Sequence, residues 1–489
     1  MDENLCQELL ANLQLEQTRK TALTEIKNTL ISSNNSTLSN SFLKSPELLN
    51  CLEDANSEQT LLACDILSIC MSTLAIDESS EVKNVIEKSL SHANPRVQAF
   101  GLRELKRILQ SPPDGFVNET LILLVIGCLA SEDTSVGTQS IELLRLMLPR
   151  FVQLRSVSEN LEGLLEKGDV VRCRLYEVAV RLAKQSEELL TAMEKFLQKA
   201  IKELDGEDVL LQLNVLQILS ELSEGNHGMA YLENNGVFDK LMAKIKRLGD
   251  DPLGTILVPG LMKFYGGVAA IHPAKIYDGY PKIIEMLFDC LLSDDMSILP
   301  TAYDTLGCIA LPSEGKRQLH YKHGAALKKA LKHFSAVIRN LPNDLKIRLL
   351  GCLRSMFDVD SAAADNQISS LTQSWYDNLA EQDNLNLVMD YIKNPFPDMK
   401  RAALGLLKAI VGHRWGQTYL LNTGGFVEYL LDRKQEADKD VVLDKYEVIL
   451  VLAASTVFDE QTASELKRYV LEGPFYVHGI TEVAIEGAS

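Results

Sequence analysis

The feature that most constrains the fold is a turn-and-helix unit that recurs along much of the chain. In each unit a turn containing Asp, Asn or Pro precedes an aliphatic residue, and apolar or small residues follow four and eight positions later. Successive units begin 39 and 35 residues apart early in the chain (97, 136, 171) and 49, 52 and 43 apart later (298, 347, 399, 442). The triplets are Val97/Gly101/Leu105, Val136/Ser140/Leu144, Val171/Leu175/Ala179, Ile298/Ala302/Leu306, Ile347/Gly351/Ser355, Met399/Ala403/Leu407 and Val442/Tyr446/Leu450.

Residues spaced four and eight apart share one face of a helix, and a polar residue in the preceding turn can cap that helix. Helical repeats of about 40 to 47 residues are typical of HEAT and armadillo arrays. Segments with the alternating pattern of strands are not found. The sequence therefore predicts an all-α solenoid of armadillo/HEAT-like repeats.

Glycines form a second and more specific pattern. Three times a helix that begins at glycine ends in a polar turn, which leads through another glycine into a second amphipathic helix. The three segments are 228–241, 315–327 and 416–430. Glycine permits a left-handed backbone and a close approach of helices, so the pattern resembles the junction between the second and third helices of an armadillo repeat.

Departures from the repeat pattern suggest how the chain is divided. We predict N-terminal helical repeats over 1–90, interrupted by a Ser/Asn-rich loop at 31–41, and a repeat array over 91–472. The segment 250–260 is predicted to interrupt this array. After Gly473 and Pro474 the helical pattern stops, so 473–489 is predicted to be an extended C-terminal tail.

Charge and cysteine content narrow the function classes. The net charge of −18 and the pI near 5.0 disfavour nucleic acid and anionic membranes as partners. The nine cysteines form no CxxC pair and lie mostly among aliphatic residues, which predicts small core residues in a reducing compartment. No secretory signal is apparent, and the longest apolar run, 121–130, is half of what a spanning helix needs. A cytoplasmic or nuclear location is expected.

Sequence motifs for phosphate binding and metal binding are matched only poorly. Gly315-Lys316 resembles a phosphate-binding loop, but Arg317 stands where Ser or Thr is required. His320 and His323 lack a cysteine or carboxylate at metal-ligand spacing. We therefore expect no enzyme activity, no cofactor and no metal.

Several segments, in the same order along the chain, resemble the 26S proteasome non-ATPase regulatory subunit 5 family. The resemblance runs from about the first repeat to the C-terminus and is weak before residue 90. The segments are 168–177, 206–210, 250–266, 424–433, 472–477 and 483–487.

The resemblance implies a C-shaped solenoid without catalytic residues that acts as an assembly chaperone for the base of the 19S regulatory particle. Such a chaperone binds the C-terminal domain of a base ATPase subunit together with neighbouring base subunits, and it leaves before the mature proteasome forms. On its own it is expected to be a monomer. The alternative is an armadillo-type adaptor or a transport-receptor-like carrier. Carriers of that kind present repeated Trp and Asn, whereas only Trp375 and Trp415 occur here, and Tyr419 follows Trp415 at the spacing where Asn is expected.

Polar residues within the family-like segments are candidates for partner contact, although each has a structural alternative. Arg172 could instead pair with an acid of an adjacent repeat, the aromatic residues could fill the core, and the acids could cap the next helix. In that last case an acidic rim for a basic partner would still be possible. The predicted partner-binding residues are Arg172, Arg174, Tyr176, Glu207, Asp208, Lys263 and Tyr265.

Overall fold

The computed structural model describes residues 2–33, 36–53, 57–73, 79–111, 115–247, 254–358, 366–380 and 385–477. Within these ranges the chain is helical and contains no strand, which confirms the all-α prediction. Short 3₁₀ helices lie at Cys51–Glu53 and Leu148–Arg150. The α-helices are α1 (Asp2–Leu13), α2 (Glu16–Ser33), α3 (Ser36–Leu43), α4 (Pro46–Asn50), α5 (Ser57–Thr73), α6 (Ser79–Leu90), α7 (Pro95–Ile108), α8 (Glu119–Cys128), α9 (Thr134–Met147), α10 (Arg155–Leu164), α11 (Asp169–Ala183), α12 (Glu187–Glu203), α13 (Val209–Leu222), α14 (Asn226–Asn234), α15 (Val237–Arg247), α16 (Gly254–Ile271), α17 (Pro273–Gly279), α18 (Pro281–Leu291), α19 (Leu299–Ala310), α20 (Ser313–Val337), α21 (Asn343–Phe357), α22 (Asn366–Ala380), α23 (Asn386–Ile392), α24 (Pro397–Val411), α25 (Arg414–Leu421), α26 (Phe426–Leu431), α27 (Lys439–Ala453) and α28 (Glu460–Glu472).

Polar residues in the turns start many of these helices, as the repeat pattern predicts. The side chain of Asn94 accepts a hydrogen bond from the backbone of α7, and Asp133 does the same for α9. Asp208, Asp438 and Asp459 cap α13, α27 and α28 in the same way. Each cap satisfies backbone N–H groups that have no partner within the helix.

The chain forms two compact units, Met1–Val237 and Phe238–Ser489. In the first unit α5, α7, α9, α11 and α13 pack side by side in that order, and in the second α16, α19, α21, α24 and α27 do so. We call these the row helices. The other helices of each unit pack behind them, so that the apolar core lies between two layers.

Most predicted triplets lie in this core, but two do not. Val97, Gly101 and Leu105 are buried, whereas Gly351 and Leu450 are exposed. In α21 and α27 another stripe of apolar residues, which in α21 includes Leu349, faces the core instead. A row helix packs against neighbours on both sides as well as behind, so its sequence carries more than one apolar stripe.

The glycine pattern has a direct steric cause. Each of the three glycines that begin the pattern lies against a backbone carbonyl at the end of the preceding row helix, where a side chain could not fit. The contacts that a Cβ atom would make are 2.1 Å from Gly228 to the oxygen of Leu222, 1.9 Å from Gly315 to that of Ile309, and 2.0 Å from Gly416 to that of Ile410.

The predicted position of the glycine junction within a repeat was wrong. Gly236 and Gly425 adopt positive φ angles of 64° and 76°, and the corresponding bend in α20 falls at His323, whose backbone is not helical. If each repeat is counted to end at its row helix, Gly425 joins the first helix, α25, to the second, α26. The third helix, α27, begins only after the turn capped by Asp438.

Two predicted interruptions are largely helical. The Ser/Asn-rich segment 31–41 falls within α2 and α3 except for residues 34 and 35, which lie outside the described residues, and burial of Leu38 and Phe42 explains why α3 forms. In 250–260, residues 250–253 are also outside the described residues, but α16 continues through Pro259. Burial of apolar residues around Pro259 offsets the lost backbone hydrogen bond.

Three further expectations concern the ends and the surface of the fold. The last described helix ends at Glu472 and is followed by Gly473 with φ of 84°, and the predicted tail beyond 477 lies outside the described residues. Seven of the nine cysteines are buried, in agreement with the prediction, while Cys173 is half-buried and Cys308 is exposed. A helix long and apolar enough to cross a membrane is not found in the described part of the chain.

Candidate protein-binding surface

Arg172 lies near the start of α11 and bridges two helices. Its guanidinium forms ion pairs with Asp169, one turn earlier, and with Glu203 of α12, at 3.1 Å from Nη1 to Oε1. These acids raise the pKa of Arg172, against the opposing effect of desolvation. This is the alternative in which Arg172 pairs with an adjacent acid, and it leaves only part of the side chain exposed.

Arg174 is buried, and its side chain caps the C-terminus of a neighbouring helix. Its Nη1 donates hydrogen bonds to the backbone oxygens of Leu129, at 2.8 Å, and Ser131, at 2.6 Å, just beyond the C-terminus of α8. The guanidinium passes over Gly137 of α9, where a Cβ atom would lie 2.3 Å from Cζ. A cation at the C-terminus of a helix is favoured by the helix dipole, so this geometry favours a structural role.

Tyr176 and Tyr265 are also buried, which supports the core alternative for the aromatic candidates. The hydroxyl of Tyr176 donates to Oε1 of Glu203 at 2.8 Å, and burial together with this bond raises the pKa of Tyr176. The hydroxyl of Tyr265 donates to the backbone oxygen of Phe238 at 3.1 Å. Its ring packs against those of Phe264 and Tyr280, so Tyr265 belongs to an aromatic core.

Three of the predicted residues are exposed. Asp208 caps α13 through a 3.0 Å hydrogen bond from the backbone of Leu211, which is the structural alternative weighed for the acids. Glu207, in the same turn, and Lys263, on α16, have no hydrogen bond or ion pair with the described residues. Contact of any of the seven residues with a partner remains a prediction, and Glu207 and Lys263 are the exposed ones among them without a described partner.

Sequence reasoning missed the exposed stripes of the row helices, which we call the row face. In the second unit the row face carries ion pairs between neighbouring helices, and Leu443 and Leu450 of α27 are exposed as well. The sequence signal was a cation on one row helix and an acid about one repeat away on the next. The pairs are Arg348 with Asp304 at 2.6 Å, Arg401 with Asp444 at 2.8 Å and with Asp440 at 3.2 Å, and Lys408 with Glu447 at 2.7 Å.

The phosphate-loop resemblance at Gly315-Lys316 has another explanation. Lys316 is fully buried, and its Nζ donates to the backbone oxygens of Ala310 at 2.6 Å, Leu311 at 2.7 Å and Ser355 at 3.2 Å. Burial lowers the pKa of Lys316 to about 8. The amine thus forms hydrogen bonds with carbonyl groups at the ends of α19 and α21, and it does not face solvent.

The two histidines considered for a metal site have other partners. Nδ1 of His320 accepts a hydrogen bond from Nε1 of Trp375 at 3.2 Å, and the ring of His323 lies near that of Tyr277. Burial lowers the pKa of His323. Among the described residues, no group of His, Cys, Asp and Glu has an arrangement suited to hold a metal ion.

The tryptophans bear on the carrier alternative. Trp375 and Trp415 are both buried, and Nε1 of Trp415 donates to Oγ1 of Thr372 at 3.3 Å. Their rings therefore cannot form an exposed ladder for a peptide backbone.

Comparison with known proteins places the chain in a family. The sequence model of the family described as "Proteasome non-ATPase 26S subunit" matches residues 2–489. A protein of Drosophila melanogaster named "26S proteasome non-ATPase regulatory subunit 5" is 37% identical over 428 residues, which cover 86% of this chain and 84% of the relative. A protein of Bos taurus with the same name is 30% identical over 457 residues, 90% of each chain.

Solved structures support the architecture independently. Importin beta aligns with a TM-score of 0.57 at 12% identity, over 96% of this chain and 67% of the importin chain. Identity this low supports only the fold, and it confirms the prediction of an armadillo/HEAT-type solenoid. On the evidence of the family model and of these relatives, the chain belongs to the family of proteasome non-ATPase 26S subunits.

Proposed function

We propose that this protein is a chaperone for assembly of the base of the 19S regulatory particle of the 26S proteasome. It binds the C-terminal domain of a base ATPase subunit, with neighbouring base subunits alongside, and is released before the mature proteasome forms. The observation that carries the proposal is the family match over residues 2–489, because it spans the whole repeat array rather than one segment.

The surface chemistry supports a reversible interaction. Stacked helices present an ordered surface, so a partner loses little of its binding energy to ordering the receptor. The row face of the second unit carries several charged side chains that pair across neighbouring helices, and a charged surface is expected of an interface that must later separate. While bound, the protein would delay docking of the ATPase on the 20S ring by occupying its surface.

The proposal includes the setting in which the protein acts. It works without a cofactor or catalytic residue, as a monomer before it meets its partners, in the cytoplasm or the nucleus. Its partners are proteins of the base and not nucleic acids or membranes, in keeping with the net charge of −18.

Affinity capture of the tagged full-length protein from cells, followed by mass spectrometry and native gels, tests this function. We expect base ATPase subunits and their neighbours in complexes smaller than the 26S particle, with 20S subunits absent. Recovery in stoichiometric amounts with complete 26S particles would contradict a role confined to assembly. Recovery of unrelated cargo proteins without base subunits would instead favour the carrier alternative.

A further inference from the structure

The centre of the row face in the second unit combines cations with an open floor. The side chains in question follow one stripe on α21 and one on α24, two helices that pack directly against each other. Between the cations the stripes carry glycine, which leaves the surface low at that point. The stripe residues are Arg348, Gly351 and Arg354 on α21, and Arg401, Gly405 and Lys408 on α24.

Three of these four cations already have acidic partners on the flanking helices. Arg348 pairs outward with α19, while Arg401 and Lys408 pair outward with α27. The acids of α19 and α27 therefore flank α21 and α24 on either side, and the cations lie between them.

Arg354 is the exception. Its side chain is exposed and makes no hydrogen bond or ion pair with the part of the chain that the structure describes. It lies across α24, with Cδ and Nη1 each 3.3 Å from the position that a Cβ atom of Gly405 would occupy. Gly405 thus lets the guanidinium lie low on the surface, and a Cβ atom at Gly351 would meet no atom within 4 Å.

This arrangement fits a carboxylate on an extended protein segment. A guanidinium presents paired N–H donors that match the two oxygens of a carboxylate. The glycine floor allows the backbone of such a segment to approach closely. A phosphate group carries about twice the charge, whereas only one of the four cations is unpaired and acids flank it on both sides, so the charge pattern favours Asp or Glu.

We infer that Arg354 anchors an acidic side chain of a base ATPase subunit as that subunit lies across α21 and α24. The inference rests on the proposed function and specifies one contact within it. Arg354 was not among the residues predicted from the sequence, because its spacing along α21 does not reveal that its neighbours on the row face are already paired.

The test uses the full-length protein and the purified C-terminal domains of the base ATPase subunits, each produced separately, with binding measured by titration calorimetry. For the domain that binds, Arg354→Gln should weaken affinity about tenfold, since a hydrogen-bonded charge pair is lost. The melting temperature should not change, because the side chain is exposed. Lys332→Gln is the matched control, since Lys332 on α20 is also exposed and has no described partner, and it should bind like the unmodified protein.

Two further measurements separate anchoring from general charge. Gly405→Ala should weaken binding as well, because its methyl group displaces Arg354 from its position. The slope of affinity against salt concentration should be smaller for Arg354→Gln than for Lys332→Gln. If Arg354→Gln lowers the melting temperature, Arg354→Lys, which keeps the charge, takes its place, and full retention of affinity in that variant would contradict bidentate anchoring.

The outcomes distinguish the inference from the function on which it rests. If the unmodified protein binds none of the ATPase domains, and captures no base subunit from cells, the proposed function fails and the inference with it. If the unmodified protein binds a domain and Arg354→Gln binds it equally well, the function stands and the inference is overturned.

Discussion

Arg174 is a buried cation whose role depends on backbone atoms far away in the sequence. It donates to carbonyl oxygens 45 and 43 residues earlier, and the lack of a side chain at Gly137 gives it room. Lys316 likewise donates hydrogen bonds to backbone oxygens at the ends of α19 and α21. In both cases a side chain of one repeat satisfies carbonyl groups that the helices themselves leave unpaired.

Replacing Arg174 with alanine should destabilise the first unit. The carbonyl groups of Leu129 and Ser131 would lose a buried charged donor, which typically costs roughly 1–3 kcal/mol in the free energy of unfolding. Chemical denaturation followed by circular dichroism measures the loss, with Arg96→Ala as the control, because Arg96 is exposed and its side chain has no described partner. Equal stability of the two variants would show that the cap contributes nothing.

Lys316→Met gives a prediction with a defined pH dependence. The folded-state pKa of Lys316 is about 8, below its ordinary value of 10.5, so between these values the unfolded chain holds a proton that the folded chain has released. Linkage then requires that the contribution of Lys316 to stability rise with pH in this window. The variant loses three hydrogen bonds, and its deficit in stability should grow on the order of 1–2 kcal/mol between pH 7.5 and 9.5. A deficit that is constant over this range in urea titrations would contradict the lowered pKa.

At the scale of the elements, glycine determines how closely a helix can approach the one before it. In the armadillo-like repeats of this chain, α25 begins against the C-terminal carbonyls of α24, and contact is possible because Gly416 has no side chain. The same relation holds for α14 against α13 and for α20 against α19. The distance between consecutive helices is therefore set by one residue type at one position of the repeat.

Gly416→Ala should lower the melting temperature of the protein. The added methyl group would lie 2.0 Å from the backbone oxygen of Ile410, so α24 and α25 must separate, at a cost of about 1–3 kcal/mol. Gly267→Ala is the control, since Gly267 lies within α16 with no atom near its missing Cβ, and there alanine should be neutral or stabilising. A Gly416→Ala variant as stable as this control would rule out close packing as the reason for the glycine.

At the scale of the whole molecule, the chain consists of two compact units, each with its own series of row helices. The predicted segments 1–90, 91–472 and 473–489 divide the chain by repeat pattern, which is a different criterion. The C-shaped arrangement implied by the family resemblance stays a prediction. Small-angle scattering can test it, because an extended array should exceed the radius of gyration of about 23 Å that the scaling rule gives for a compact chain of this length.

The sequence by itself determined the fold class, the capped turns and the positions where glycine is required, because these depend on residues close together in the chain. Helical periodicity shows which residues share a face, but it does not show which face a neighbouring helix covers. Only the tertiary structure decided that Arg174, Tyr176 and Tyr265 are buried while Arg354 is exposed without a described partner. The physical reason is that the groups which cover or pair with a side chain of the repeats often come from helices about 40 residues away, as for Arg174, and the spacing within one helix carries no information about them.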